Sequence, residues 1–153
     1  MVLQNEITQL ESMMIHAHLK NEKISQRGID WHLDHSFKVI LATSDLLEKS
    51  NPEDYKWKFN FVRLVIFIKG SFPRGKGRSP KVVNNKEEIL KEDLINQLDL
   101  VKTKLSQIES LPERANFKHP YFGYIKRDKT VKFLQMHTYH HFKIMRDIQS
   151  SLS

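Results

Sequence analysis

Two histidines, His137 and His141, lie four residues apart in a segment whose apolar residues repeat with helical spacing. Residues at positions i and i+4 of a helix share one face, so both imidazoles can reach the same metal ion. The apolar spacing predicts that this face points toward the protein core, with His140 at its edge. The pair therefore indicates a metal site. The alternative for each residue is a buried histidine that makes a single hydrogen bond.

A further candidate ligand lies in an earlier helical segment. His35 shares an apolar stripe with Trp31 and Val39, and His32 lies beside it. One histidine from this helix and a pair from the later helix would supply three nitrogen donors and leave coordination positions open, as is typical of catalytic metal sites. His32 is an alternative ligand to His35, or a residue that supports a ligand. Imidazole donors accept Zn²⁺, Ni²⁺, Fe²⁺ or Mn²⁺, so ligand type does not select the metal.

The other histidines have weaker claims to a role in the site. His16 and His18 are predicted to lie at the surface or at an interface. His119 precedes Pro120 in a predicted loop, where a structural role is favoured and a place at the rim of the site is the alternative.

The absence of cysteine limits the chemistry of the chain. The 153 residues contain no Cys, which excludes a disulfide framework, a thiolate metal ligand and a cysteine nucleophile. A metal ion would lower the pKa of a bound water or thiol. Any thiol that reacts at this site must therefore be brought in by a small molecule, and metal-assisted hydrolysis is the alternative.

The positive charge of the chain is concentrated in one segment. The net charge is +7, yet residues 55–86 contain nine Lys and Arg and no acidic residue. A general nucleic-acid-binding protein more often spreads its basic residues along a face, so we do not expect nucleic-acid binding. Within this segment Arg74, Lys76 and Arg78 are candidate ligands for a small anionic molecule or a thiol cofactor. The alternative is a solvated loop.

Four segments with helical apolar spacing account for most of the chain: residues 2–20, 28–49, 86–110 and 126–150, the last of which could instead begin at 129. We expect one all-α domain spanning residues 1–153, a four-helix bundle with one long crossover. The crossover carries a short apolar segment at 58–69, predicted as an extra helix with a buried strand as the alternative, and then a basic loop at 70–85. Residues 116–124 are predicted as a second loop. Four aromatic residues of the crossover are assigned to the core: Trp57, Phe59, Phe61 and Phe67.

No segment has the length of a membrane span. The longest apolar run, residues 64–68, has five residues, whereas a spanning helix needs about 20. The first 11 residues lack a basic start followed by an apolar run. We therefore expect a cytoplasmic protein without membrane association, and the sequence leaves a homodimer open.

Four motifs resemble those of one known group of proteins. WHLDHS at 31–36 resembles the W-x-L-x-H signature on the second helix of the DinB/YfiT-like metal-binding bundle superfamily, and MHTYHH at 136–141 resembles its last-helix H-x-x-H-H pattern. FPRGKGRSPK at 72–81 and HPYFG at 119–123 resemble segments of an uncharacterised DinB-like family within it. The resemblance covers nearly the whole chain and keeps the order of the motifs.

This resemblance implies a four-helix bundle with a three-histidine divalent metal site. It assigns His35, His137 and His141 as the ligands and makes His140 a neighbour. Characterised members of the superfamily include transferases and isomerases that use glutathione-like thiols, mycothiol or bacillithiol, and an iron-dependent sulfoxide synthase domain. The resemblance implies a metal-dependent enzyme, such as a transferase that uses an external low-molecular-weight thiol on an electrophilic substrate. A non-catalytic, stress-related metal- or ligand-binding module and a metal-assisted hydrolase are the alternatives.

Overall fold

The computed structural model describes residues 1–74 and 88–152. This part of the chain is mostly helical and contains one small antiparallel sheet. Its elements, in chain order, are α1 (Gln4–Met13), α2 (Ile29–Glu48), α3 (Phe61–Lys69), α4 (Lys91–Ile108), β1 (Asn116–His119), β2 (Gly123–Lys126) and α5 (Arg127–Ser150).

Helix α2 lies at the centre of the helical packing. It contacts α4, α5 and α1, and α1 also packs on α5. One stripe of α2 is buried throughout, as its spacing predicts: Leu33, Phe37, Ile40, Ser44 and Leu47. The stripe that carries Trp31, His35 and Val39 turns gradually outward along the helix. His35 is buried, whereas Leu46, at the far end of that stripe, is 52% exposed.

Two of the predicted long helices have nearly the expected bounds, and two are shorter. Helices α2 and α5 begin and end within two residues of the predicted positions. Helix α1 ends at Met13 and continues only as a single 3₁₀ turn, Met14–His16, rather than reaching residue 20. Helix α4 begins at Lys91, and the first two residues of its predicted range, 86 and 87, lie outside the described residues.

A β-hairpin replaces the loop predicted at residues 116–124, so the loop prediction is wrong there, whereas the mostly helical fold agrees roughly with the all-α prediction. Strands β1 and β2 pair with Asn116 opposite Lys126 and His119 opposite Gly123. The His119 ring closes the turn, because its Nδ1 accepts the backbone N–H groups of Tyr121 and Phe122 at 3.1 and 3.2 Å. Gly123 has a φ of +67°, a conformation in which a side chain would be strained.

Helix α3 is the short helix predicted in the crossover. The Asn60 side chain caps its first turn by accepting the N–H of Arg63 at 2.8 Å, as is typical of an N-cap residue. The helix ends at Gly70, whose φ of +67° gives a left-handed C-cap. The Arg63 guanidinium donates hydrogen bonds to the carbonyls of Phe122 and Tyr124, which fastens α3 to the hairpin.

The aromatic residues of this crossover are mostly not in the core. Phe67 is partly buried and contacts the Phe122 ring edge-on at a centroid distance of 6.0 Å. Trp57, Phe59 and Phe61 are 66–67% exposed, so their assignment to the core is wrong. Only one side of α3 meets the rest of the protein, and the residues before the helix extend along the surface.

None of the helices in the two described ranges is long and apolar enough to cross a membrane.

Candidate metal centre

The three histidines predicted as ligands converge between α2 and α5. His35 comes from α2, and His137 and His141 come from consecutive turns of α5. One ring nitrogen of each lies within 4.8 Å of the corresponding atoms of the other two. His35 and His141 are buried and His137 is partly buried. The convergence follows from the sequence, because all three residues lie on helix faces that the apolar spacing turns inward.

Aromatic side chains hold two of these imidazoles in place. Trp31 lies one turn before His35 and stacks on its ring, with a centroid distance of 4.7 Å and an angle of 6° between the planes. Phe133 lies one turn before His137, at a centroid distance of 5.8 Å. The ring of Phe72, which follows α3 in the crossover, contacts the His137 ring at a centroid distance of 6.2 Å. These rings shield parts of the site from water.

A hydrogen-bonded chain supports His141. Its Nδ1 lies 2.9 Å from Nδ1 of His32, and Nε2 of His32 lies 3.0 Å from the hydroxyl of Ser25. The Ser25 oxygen also accepts the backbone N–H of Arg27 at 3.1 Å. The Nδ1 atom of His141 is used in this chain, which leaves Nε2 as its ligand atom. Residues that orient a metal ligand through its second nitrogen are a regular feature of histidine metal sites.

Burial keeps the imidazoles of two candidate ligands, His137 and His141, uncharged at neutral pH. The pKa values of His137 and His141 lie well below the usual value, chiefly because burial disfavours the charged ring and secondly because other histidines are close. Burial likewise lowers the pKa of His32 to about 3. A metal ion binds the neutral form of imidazole, so these residues need not lose a proton when the ion binds at neutral pH.

The contacts within the triad fit a divalent metal ion. Nε2 of His35 faces Nε2 of His137 at 3.3 Å, an arrangement in which two neutral rings can share only one hydrogen. Nδ1 of His137 is buried and has no hydrogen-bond partner among the described residues. A cation between the rings would bind the Nε2 lone pairs of both, a state in which His137 carries its hydrogen on Nδ1. The all-nitrogen donor set accepts several divalent ions and does not distinguish among them.

Arg74 lies at the side of the site and is already paired. Its Nη2 donates to Oδ2 of Asp147 at 2.7 Å, and both side chains are more than two-fifths exposed. Its positive charge contributes to lowering the pKa values of His32 and His140, after burial in each case. Arg74 is therefore close enough to act electrostatically on the site. The other two predicted anion ligands, Lys76 and Arg78, lie outside the described residues.

The remaining histidines do not join the triad. His140 is partly buried beside it and makes a backbone hydrogen bond with Phe72. His119 stacks on Phe122 at 4.4 Å in the hairpin turn, which is the structural role expected of it. His16 accepts a hydrogen bond from Gln149 at 2.8 Å, and His18 is exposed.

Sequence reasoning missed two residues that contact the site histidines. Ser25 lies in the segment before α2 and bears no fixed spacing to the residue it contacts, His32. Phe72 lies at the start of a basic, glycine-rich loop. The composition of that loop does not predict that its aromatic side chain contacts His137.

Comparison with known proteins identifies no relative, since no family model, curated protein or solved structure matches the chain. The interpretation of the site therefore depends on its own geometry and chemistry.

Proposed function

We propose that the protein binds one divalent metal ion through His35, His137 and His141 and acts as a metal-dependent enzyme on a thiol supplied from outside the chain. The observation that carries this proposal is the convergence of three imidazole donors, within 4.8 Å of one another, from two helices. We also propose that the four longest helices form a bundle of the DinB/YfiT-like type. The packing of α2 on α1, α4 and α5, and of α1 on α5, supports that assignment.

When bound, the metal ion would lower the pKa of a coordinated thiol or water, so that thiolate or hydroxide is available near neutral pH. The chain's own residues provide the setting. Three protein ligands leave positions open for a small molecule. Trp31 and Phe72 cover parts of the triad with apolar surface. Because the chain has no cysteine, the sulfur of a thiol reaction comes from the small molecule.

Arg74 gives the site a preference for a negatively charged thiol or substrate. A guanidinium can bind a carboxylate through two parallel hydrogen bonds. Its present partner, the exposed carboxylate of Asp147, is held by an ion pair of a kind that contributes little energy. An anionic group can therefore compete for the same guanidinium.

Metal analysis of protein purified without a histidine tag tests the ligand assignment. We expect one divalent ion per chain in the natural protein and less than a tenth of that in His35→Ala and His137→Ala, because two imidazoles retain a divalent ion poorly. His18→Ala, which removes an exposed histidine, is the matched control and should keep its metal. Unchanged metal content in His137→Ala would show that the site is assigned wrongly.

Turnover distinguishes the enzyme from a binding module. Metal-loaded protein is incubated with low-molecular-weight thiols and a set of electrophiles, and thiol adducts are measured. Adduct formation that His137→Ala abolishes supports the transferase. Metal-loaded protein that is inert with every thiol favours the binding module, and product formed with water alone favours the hydrolase.

A further inference from the structure

We infer that the exposed face of α3 is the contact surface between two copies of this chain. The surface, called the α3 patch, consists of large apolar side chains that are 43–77% exposed: Trp57, Phe59, Phe61, Val62, Leu64, Val65 and Ile68. It lies on the outer side of α3, away from the candidate metal centre, and the inference does not depend on the proposed function.

The spacing of the patch is that of a helix that packs against another helix. Phe61, Leu64, Val65 and Ile68 occupy positions i, i+3, i+4 and i+7, which form one continuous stripe. The inner side of α3 is already used, because Ile66 and Phe67 pack against the core. Helix α3 is therefore apolar on both sides, a pattern expected of a helix that is buried on both sides in the assembled protein.

The segment before the helix enlarges the patch. Arg63 donates a hydrogen bond to the carbonyl of Lys58 at 2.7 Å, which holds this segment against the start of α3 with Trp57 and Phe59 on either side of Lys58. At their exposed fractions the seven side chains present on the order of 800 Å², which is what each partner contributes to a standard interface. Monomeric soluble proteins rarely leave so large an apolar area in water.

The charges around the patch suit a second copy related by a two-fold axis. Glu53 and Asp54 precede the patch and Lys69 follows it, and all three are exposed. None of them makes an ion pair within residues 1–74 and 88–152. When two α3 helices pair antiparallel, Lys69 of one copy approaches the end of the patch that carries Glu53 and Asp54 in the other copy, where Lys56 and Lys58 are also exposed. A two-fold contact of this kind closes at two chains.

The occupant is therefore a second copy rather than a lipid surface. An anionic membrane would also attract the exposed Lys56, Lys58 and Lys69. It would, however, repel Glu53 and Asp54, which lie beside Lys56 and Lys58, whereas in a second copy the two acidic residues can pair with Lys69.

Sedimentation velocity of the full chain over a range of concentrations tests the inference. We expect the natural protein to sediment as a dimer, with twice the chain mass of 18.2 kDa. Ile68→Glu places a charge within the apolar contact and should raise the dimer dissociation constant roughly 30-fold or more. Ile15→Glu is the matched control, because Ile15 is 73% exposed and Ile68 is 77% exposed. The control should stay dimeric.

Two further measurements test whether the fold is intact and whether Lys69 contributes to the contact. Circular dichroism and metal content should be the same in Ile68→Glu and in the natural protein, which shows that the fold is intact. Lys69→Glu should weaken the dimer, and adding Asp54→Lys to it should restore at least part of the lost affinity.

Three results would overturn the inference. The natural protein could be monomeric at every concentration, or Ile68→Glu could leave the dimer unchanged. The third result is a monomer that co-sediments with vesicles of phosphatidylserine and phosphatidylcholine but not with phosphatidylcholine alone, which would assign the patch to a lipid surface.

Discussion

The Nδ1 atoms of His32 and His141 lie 2.9 Å apart, so a histidine of α2 and a histidine of α5 share one hydrogen bond. The other ring nitrogen of His32 contacts Ser25, and both of its nitrogens are therefore engaged. This arrangement favours His35 over His32 as the ligand from α2. It also fixes how protons are placed, because a metal-bound His141 must donate from Nδ1 and His32 must then donate to Ser25.

Replacing His32 should weaken metal binding although His32 is not a ligand. His32→Ala removes the acceptor that orients His141, and we expect the metal dissociation constant to rise about 10- to 100-fold. A chelator competition titration measures this change. Ser25→Ala acts one step further from the metal and should have a smaller effect, and His18→Ala should have none. An unchanged dissociation constant in His32→Ala would contradict the orienting role.

The metal-free protein should lose stability as the solution is acidified below about pH 6.5. Burial lowers the pKa of His32 to about 3 and that of His119 to about 4, whereas an unfolded histidine has a pKa of about 6.5. Between these values the unfolded chain binds more protons than the folded chain, so the free energy of unfolding falls as pH falls.

Urea unfolding at a series of pH values between about 7 and 4 measures this slope. His119→Asn keeps an acceptor for the turn and removes one titrating group, so its stability should depend less steeply on pH, whatever its stability at neutral pH. An equal slope in the natural protein and in His119→Asn would mean that His119 does not contribute.

The two faces of α2 should respond differently to truncation. Phe37 is fully buried, and Phe37→Ala should lower the free energy of unfolding by about 3–5 kcal/mol. Leu46 is 52% exposed on the same helix, and Leu46→Ala should change it by no more than about 0.5 kcal/mol. Chemical denaturation of both variants gives the comparison. A large loss for Leu46→Ala would indicate that this side chain is covered in solution.

Removing Arg74 should raise the pKa of His140 and should have only a small effect on the free energy of unfolding. The ion pair with Asp147 is exposed, so Arg74→Ala should cost at most about 1 kcal/mol of unfolding free energy. The pKa of His140 should rise, because the positive charge that helps to lower it is gone. NMR titration of the histidine ring protons measures the shift. Lys49→Ala, which removes a charge that does not act on His140, should leave this pKa unchanged.

Helix faces predict the His137 and His141 pair together with one histidine of α2, and the resemblance supplies the choice of His35 over His32. A four-residue spacing within α5 and a place on an inward stripe of α2 are visible in the sequence, and helix packing brings such faces together. The support of His141 could not be predicted in the same way. Ser25 reaches His32 only because the chain before α2 folds back, and no periodic pattern encodes that path.

The hairpin and the exposure of the α3 patch could not be predicted from the sequence, for different reasons. The turn of the hairpin depends on the His119 ring accepting two backbone N–H groups, a contact that a histidine followed by proline does not specify. In α3 the apolar spacing correctly predicts a helix, but it is the same whether the apolar face meets the chain's own core or another surface. Apolar periodicity identifies what is to be buried and not what covers it.

Trp31 stacks on His35 within the candidate centre, whereas Trp57 lies in the α3 patch, and the chain has no other tryptophan. One indole therefore lies in the candidate metal centre and the other in the α3 patch. If the two proposals hold, emission from Trp31 should change when the triad binds metal, and emission from Trp57 should change when two chains associate. Single replacements by phenylalanine separate the two signals, so metal binding and self-association can be followed in one cuvette without any added label.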